Sequence, residues 1–322
     1  MSVFTSVSKQ QLINHLHQHY HIGELIDYEG ITAGVENTNF FVTTNQGEYV
    51  LTLFESHSLE KLSFYLGLMA HLAKAGIPTI QAVSSNQDKL LHTLNGKPAS
   101  FIKRIKGANP VDVNASHCAQ IGKMLARFHL AAQRYPYQME NEFDLAWQKN
   151  TVAGWVHKMP ANDAALLQHE LTHQLDLKAQ IETLPTGIIH GDLFRDNSLF
   201  DADKLSAILD LYTACNDSLL IDIAIVINDW CFKSSVLNEA LVNSVLTAYQ
   251  TIRPLENSEK ELFNDCLRMS ALRFWVLRLD LKYNPRSNEK TSPDAYNPDE
   301  YKQKLIKYRE NEDLIMRLLS DV

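Results

Sequence analysis

Residues 187–222 read GIIHGDLFRDNSLFDADKLSAILDLYTACNDSLLID. Three polar residues organise this stretch: Asp192, Asn197 five positions later, and Asp210 eighteen after Asp192. The short apolar runs Ser198–Phe200 and Leu205–Leu209 flank the turn Asp201–Lys204. A loop followed by a β-hairpin is the expectation, with Asp210 returned beside Asp192 and Asn197. Asp and Asn also favour plain turns, so three solvated turn residues are the bland alternative. Order, spacing and flanking apolar runs all agree on a site instead.

The residue types suit one chemistry. A carboxylate accepts the proton of an attacking hydroxyl, while an amide oxygen and a second carboxylate are hard donors for Mg²⁺, which binds through few protein ligands plus substrate phosphates. An Asp-x-x-x-x-Asn loop followed by a metal-binding Asp is the phosphoryl-transfer arrangement of kinases.

Length and composition bound the alternatives. At 322 residues the chain makes one large or two medium domains, and 45% apolar with 21% charged residues suits a globular protein with a core. A net charge of −8 argues against generic binding to nucleic acid or an anionic membrane. Cys118, Cys215, Cys231 and Cys266 form no Cys-x-x-Cys pair and read as reduced thiols of a cytoplasmic protein. The opening residues lack a signal-peptide pattern, and no apolar run reaches a membrane span.

Working outward, residues 8–21 predict a helix capped by Ser8. His15/His19 and His17/His21 stand at metal-binding i,i+4 spacing, but no Glu or Cys completes a ligand pattern, and a solvated face is the better account. Strands are predicted at Glu24–Tyr28, Asn39–Thr43 and Glu48–Phe54, around a turn-rich stretch Glu29–Thr38. Within GITAGVENTN (30–39), Gly30 and Gly34 allow backbone N–H groups to approach phosphate oxygens. No helix and no Gly-Lys-Ser/Thr follow, so it is not a Walker A loop, and alone it reads as a hairpin turn. Leu59, Leu62, Leu66, Met69 and Leu72 or Ala73 mark a helix over 59–75, capped by Ser58 and stopped by Gly76 and Pro78. Strands at Gln81–Ser84 and Leu90–Leu94 precede Lys97–Arg104, read as an edge strand leading to a hinge near Ile105–Asn109.

The remainder is mostly helical. Asn114–Gln133 is one long helix, on which His129 reads as packed and bonded to a neighbouring carbonyl. Residues 139–184 are helical with polar breaks, Tyr212–Asp222 is a loop, and helices follow near 223–232, 235–250, 257–282 and 299–319. Residues 284–298 form a Pro/Asn/Ser-rich loop. Arg273 and Arg278, in ALRFWVLRL (271–279), are of the type that grips a carboxylate with two parallel hydrogen bonds, although surface arginines are common.

Seven phrases carry a family resemblance: GITAGVENTNFFVTT (30–44), GEYVLTLFE (47–55), LMAHLAKAGIP (68–78), HGDLFRDN (190–197), LDLYTACNDS (209–218), AIVINDWCF (224–232) and LRFW (272–275). Together they resemble the aminoglycoside phosphotransferase and choline kinase-like superfamily, and within it the homoserine kinase branch, over nearly the whole chain. The resemblance implies an α+β, two-lobed protein-kinase-like fold. A small antiparallel sheet with one helix forms a nucleotide-binding lobe over 1–106, and a larger helical lobe over 107–322 holds the catalytic loop and substrate site. It implies ATP-dependent phosphorylation of the L-homoserine side-chain hydroxyl, with Mg²⁺. Asp192 would be the base, Asn197 and Asp210 the metal ligands, and Gly30, Gly34, Thr38, Asn39 and Thr52 the nucleotide contacts. His190 and Asp222 would brace the loop, while Arg273, Arg278 and Asp217 are candidates for the substrate. The superfamily's third-strand Lys is replaced by Thr52, a replacement the branch shares. Lys61, Lys103 and Arg195 are then candidate phosphate cations, and Arg195 itself departs from the superfamily's proline. Choline, an aminoglycoside or another amino alcohol as acceptor, or a non-catalytic nucleotide-binding protein, are the alternatives; an Arg/Trp helix suits a carboxylate better than a quaternary ammonium.

Overall fold

The computed structural model describes residues 4–31, 37–233, 235–285, 297–311 and 318–319. Contacts divide the chain into Met1–Gly107 with Ser206–Tyr212, and Ala108–Leu205 with Thr213–Val322.

In the first unit, Ser8 caps α1 (Lys9–His19) in a capping box with Gln11. Strands β1 (Leu25–Ile31), β2 (Asn37–Thr44) and β3 (Gly47–Phe54) form an antiparallel meander. Helix α2 (Leu59–Lys74) follows, capped by the Ser58 side chain, then β4 (His92–Leu94) and β5 (Lys97–Lys103). The sheet order is β1-β2-β3-β5-β4. Alternating residues of β2, β3 and β5 (Phe40, Val42, Leu51, Leu53, Phe101) meet Leu12 and Leu16 of α1 in one core. Helix α2 buries Leu62, Leu66, Met69 and Leu72, while Leu59, at its first position, is 63% exposed.

Three expectations are corrected here. Strand β5 is internal rather than at the edge, because the Asn95-Gly96 turn folds β4 onto its free side. Gln81–Ser84 makes only a single bridge, Ala82 to Ile102, and is no strand. Strands β1 and β2 also run further into the stretch read as turns, to Ile31 and from Asn37. Residues 32–36, including Gly34, lie outside the described residues.

The second unit is largely helical: α3 (Ala115–Ala132), α4 (Leu145–Trp155), α5 (Ala161–Asp176) and α6 (Lys178–Ile181) lead to β6 (Thr186–Ile189). The hairpin β7 (Ser198–Asp201) and β8 (Lys204–Ile208) follows, with β8 from Ser206 counted in the first unit, then β9 (Cys215–Ser218), α7 (Leu219–Trp230), α8 (Glu239–Gln250), α9 (Asn257–Glu261), α10 (Phe263–Tyr283) and α11 (Pro298–Glu310). Tyr212–Asp222, expected as a loop, contains β9, which pairs with β6 from Thr186↔Ser218 to Ile189↔Cys215. Three polar residues in a four-residue run hide its strand character, and the pairing partner lies about thirty residues away. The expected terminal helix is described as Pro298–Glu310, and most of 284–298 lies outside the described residues. Helix α7 is buried on every side, its polar residues Asp222, Asn228 and Asp229 included. Helices α3 and α8 approach closely at Gly122, where an added Cβ would lie 2.3 Å from the Val245 carbonyl oxygen. The four cysteines are free and buried. Among the described residues no helix is long and apolar enough to cross a membrane.

Candidate active site

Strand β6 delivers the chain to His190, Gly191 and Asp192. Gly191 holds φ +77°, and a Cβ there would meet the Thr213 carbonyl oxygen at 2.8 Å, so only glycine fits this bend. The fully buried Asp222, in the first turn of α7, accepts the His190 N–H at 2.8 Å through Oδ2 and the Gly191 N–H at 3.0 Å through Oδ1. His129 Nε2 stands 3.1 Å from the same Oδ2, and its Nδ1 is 2.7 Å from the Tyr249 hydroxyl. Burial opposes ionisation of Asp222, but the His129 contact and the loop amides outweigh it and hold the carboxyl below its usual range. His129 is therefore packed, as its sequence reading has it, but against a carboxylate and a phenol rather than a carbonyl.

Further bonds fix the rest of the loop. The Thr213 hydroxyl donates to the His190 carbonyl at 3.0 Å, and buried Trp230 donates its indole N–H to the Leu193 carbonyl at 3.0 Å. One turn of 3₁₀ helix, Arg195–Asn197, brings Asn197 back on Asp192. Its Nδ2 donates to the Asp192 carbonyl oxygen at 2.8 Å and to the Asp192 carboxylate at 3.1 Å. That commits the NH₂ end of the amide and leaves Oδ1 as its remaining acceptor, the donor type a hard cation takes.

Arg195 is committed elsewhere. Its backbone N–H and Nε donate to Asp229 Oδ2 at 2.7 and 3.1 Å, and Nη2 reaches Oδ1 at 3.3 Å. Despite burial, the Asp229 charge raises its pKa further. Arg195 and Asp229 line a cavity of about 420 Å³ with Glu300 and Lys304 of α11. Arg278 donates to Glu300 at 2.7 Å, beside the Glu300–Lys304 pair. Arg273 and Asp217 line a different cavity, also about 420 Å³, which contains neither Arg278 nor a residue of the Asp192–Asn197 loop.

In the first unit, Asp210 follows β8 at φ +52°. Burial first, and the Asp210 charge second, push the Tyr212 hydroxyl pKa upward. Thr52 donates its hydroxyl to Asn39 Oδ1 at 2.7 Å, across the β2–β3 register pair. Thr38 is fully buried; it donates to Glu55 at 2.7 Å and accepts the Phe4 N–H at 2.9 Å. Gly30 pairs with Phe40 in β1. Lys103 is exposed at the end of β5.

Sequence reasoning passed over Tyr249, Asp229, Glu300 and Lys304. The Asn-Asp-Trp phrase at 228–230 was the available signal, since a buried Asp and Trp both require partners. Nothing local marked the others.

Residues 27–255 match the model of the phosphotransferase enzyme family known as APH. A homoserine kinase of Methylobacillus flagellatus is 43% identical over 298 residues, covering 90% of this chain and 91% of that one. A homoserine kinase of Cupriavidus pinatubonensis is 42% identical over 305 residues, covering 91% and 92%. Among solved structures, a microcompartment-associated aminopropanol kinase superposes with a TM-score of 0.72 at 14% identity, covering 96% of this chain and 99% of its own. That likeness shows the fold, the expected α+β, protein-kinase-like one.

Proposed function

The chain belongs to the phosphotransferase enzyme family, and we propose that it transfers the γ-phosphoryl group of ATP to the side-chain hydroxyl of L-homoserine, giving O-phospho-L-homoserine and ADP. The observation that carries the substrate is the name shared by relatives aligned over nine-tenths of the chain. The loop geometry supports the chemistry.

Asp192 accepts the hydroxyl proton. Its carboxylate is steadied by the Asn197 amide at 3.1 Å, and its backbone is steadied through Asp222. Asn197 Oδ1 and the Asp210 carboxylate are the oxygen donors we assign to Mg²⁺, which supplies positive charge against the nucleotide phosphates. Gly30, Gly34, Asn39 and Thr52 are assigned to the phosphates; Thr52 acts by fixing Asn39, whose NH₂ is then the donor. Thr38 serves the packing of the chain start on β2. Catalysis is then mainly positioning and charge stabilisation.

For the acceptor we assign the Arg195–Asp229–Glu300–Lys304 cavity, because Arg195 lies three residues after Asp192 in the same loop. It offers cations for a carboxylate and carboxylates for an ammonium, which is what a zwitterion needs. Arg278 holds Glu300 in place there.

A coupled ADP-release assay with Mg²⁺-ATP tests the reading against L-homoserine, L-serine, choline and an aminoglycoside. Turnover on homoserine is expected, and Asp192→Asn should lower kcat by about 10²- to 10⁴-fold with ATP binding retained. Turnover on choline or the aminoglycoside alone would overturn the substrate.

A further inference from the structure

The cavity lined by Arg273 and Asp217 contains a set of polar atoms the proposed reaction does not use. Arg273 is 4% exposed, yet its Nε and Nη1 have no hydrogen-bond partner among the described residues. Gln148 Oε1, on a residue 2% exposed, and Ser270 Oγ, on a fully buried one, are likewise unpartnered, and both residues line the same cavity. Buried polar atoms are normally satisfied, and leaving several unmet in one place is costly. Here the residues that carry them line one space of about 420 Å³.

The chemistry of the lining is specific. A guanidinium is the side chain best suited to a carboxylate, and this one has two nitrogens, Nε and Nη1, without a hydrogen-bond partner among the described residues. The Arg273 guanidinium stays in place by stacking over Phe143 at 5.2 Å and Phe274 at 5.3 Å. Opposite in charge, Asp217 is held by the Ser218 N–H at 2.7 Å and by the Asn141 amide. Phe143 and Met269 add apolar wall. A carboxylate, an ammonium and a hydrocarbon body are therefore all provided for.

We propose that this cavity binds an α-amino acid with an apolar side chain, at a site separate from the one assigned to the acceptor. Its carboxylate lies on Arg273, its ammonium on Asp217 and Gln148 Oε1, and its side chain against Phe143 and Met269. The site touches both segments that carry the Asp192 loop. Asp217 pairs with Gly187 on β6, which runs into His190, and Phe274, next to Arg273, packs its ring 4.6 Å from Phe194. An occupant here bears on the loop without meeting the reacting atoms.

Isothermal titration of the full-length protein with L-leucine, L-methionine and L-phenylalanine tests this, each repeated in saturating L-homoserine and Mg²⁺-AMP-PNP. One saturable site per chain is expected for at least one of them, and it should persist in the loaded protein. Arg273→Gln should weaken binding by about tenfold or more. 4-Methylpentanoate, which lacks the amine, should bind about tenfold more weakly than L-leucine for the same reason. Should Arg273→Gln fail to fold, Asp217→Asn and Ser270→Ala are expected to weaken binding while circular dichroism stays native. No saturable binding of any of the three would mean the cavity holds only water, and overturns the site. Loss of binding in saturating homoserine would make the cavity the acceptor pocket, and overturns its separateness. Unchanged affinity in every folded variant overturns the assigned contacts. ADP release reads the kinase reaction separately, so failure of either leaves the other standing.

Discussion

Two buried polar clusters in this molecule have opposite fates. Around Asp222, each carboxylate oxygen meets a loop amide, and His129 links that carboxylate to Tyr249. Around His15, three imidazoles crowd without such partners. His19 and His92 stack at 4.0 Å, His15 stands 4.9 Å from His19, and His15 Nε2, His19 Nδ1 and His92 Nε2 are buried without a hydrogen-bond partner among the described residues. The first cluster uses burial to strengthen every bond it makes. In the second, burial opposes protonation of His15 instead of strengthening a bond. Burial alone therefore says little about a polar residue; its partners decide whether it becomes a brace or a liability.

Breaking the brace should cost most. Asp222→Ala strips the His190 and Gly191 amides and His129 of their common acceptor. A loss of about 3–5 kcal/mol in urea-denaturation stability is expected, with kcat falling alongside. Gly191→Ala attacks the same bend sterically, since it forces a side chain to φ +77° against the Thr213 carbonyl. About 1–3 kcal/mol should be lost, again read by denaturation. Tyr249→Phe removes only the far end of the chain, leaving His129 Nδ1 unmet at a cost of about 1–3 kcal/mol. A smaller effect than for Asp222→Ala would place the brace at the carboxylate; an equal one would mean the three act as a single unit.

The imidazole cluster sharpens the contrast through pH. Burial first, then the charges of His19 and His92, hold His15 at about 4 in the folded chain, against 6.5 in the unfolded one. His92 is lowered by burial, His19 and Lys89. The unfolded chain therefore takes up protons first as pH falls. Stability from this cluster is complete above 6.5 and drains away between 6.5 and about 4. Urea midpoints should drop between pH 7.5 and 5, and His15→Phe should flatten that slope while changing the midpoint at pH 7.5 least of all these variants. A slope unchanged by the substitution would assign the acid sensitivity elsewhere.

The sequence was most legible where chemistry is local. Asp192 and Asn197 fall in one loop because five residues separate them, and the Leu62–Leu72 stripe shows its helix directly. The i,i+4 histidines were visible as a spacing, but His92, which turns them into a buried cluster, arrives from a strand more than seventy residues away. Strand β9 was hidden because Asn216 and Asp217 look like loop residues until β6 pairs with them. Arg273 and Arg278 looked equivalent on one helix. Their five-residue separation sends one into a cavity beside Asp217 and the other to Glu300. Long-range partners, rather than local propensity, made each of these differences.

Gly122 acts as a caliper for the whole brace. The distance at which α3 passes α8 is set where the Val245 carbonyl oxygen closes on a residue without a side chain. Two turns further along α3 stands His129, and one turn further along α8 stands Tyr249, meeting it at 2.7 Å. Widening the seam by a single methyl group would open that junction, and the error would pass through Asp222 to the amides that shape the Asp192 bend. The machining tolerance of the loop is thus fixed at a helix crossing that contains none of the loop's own residues.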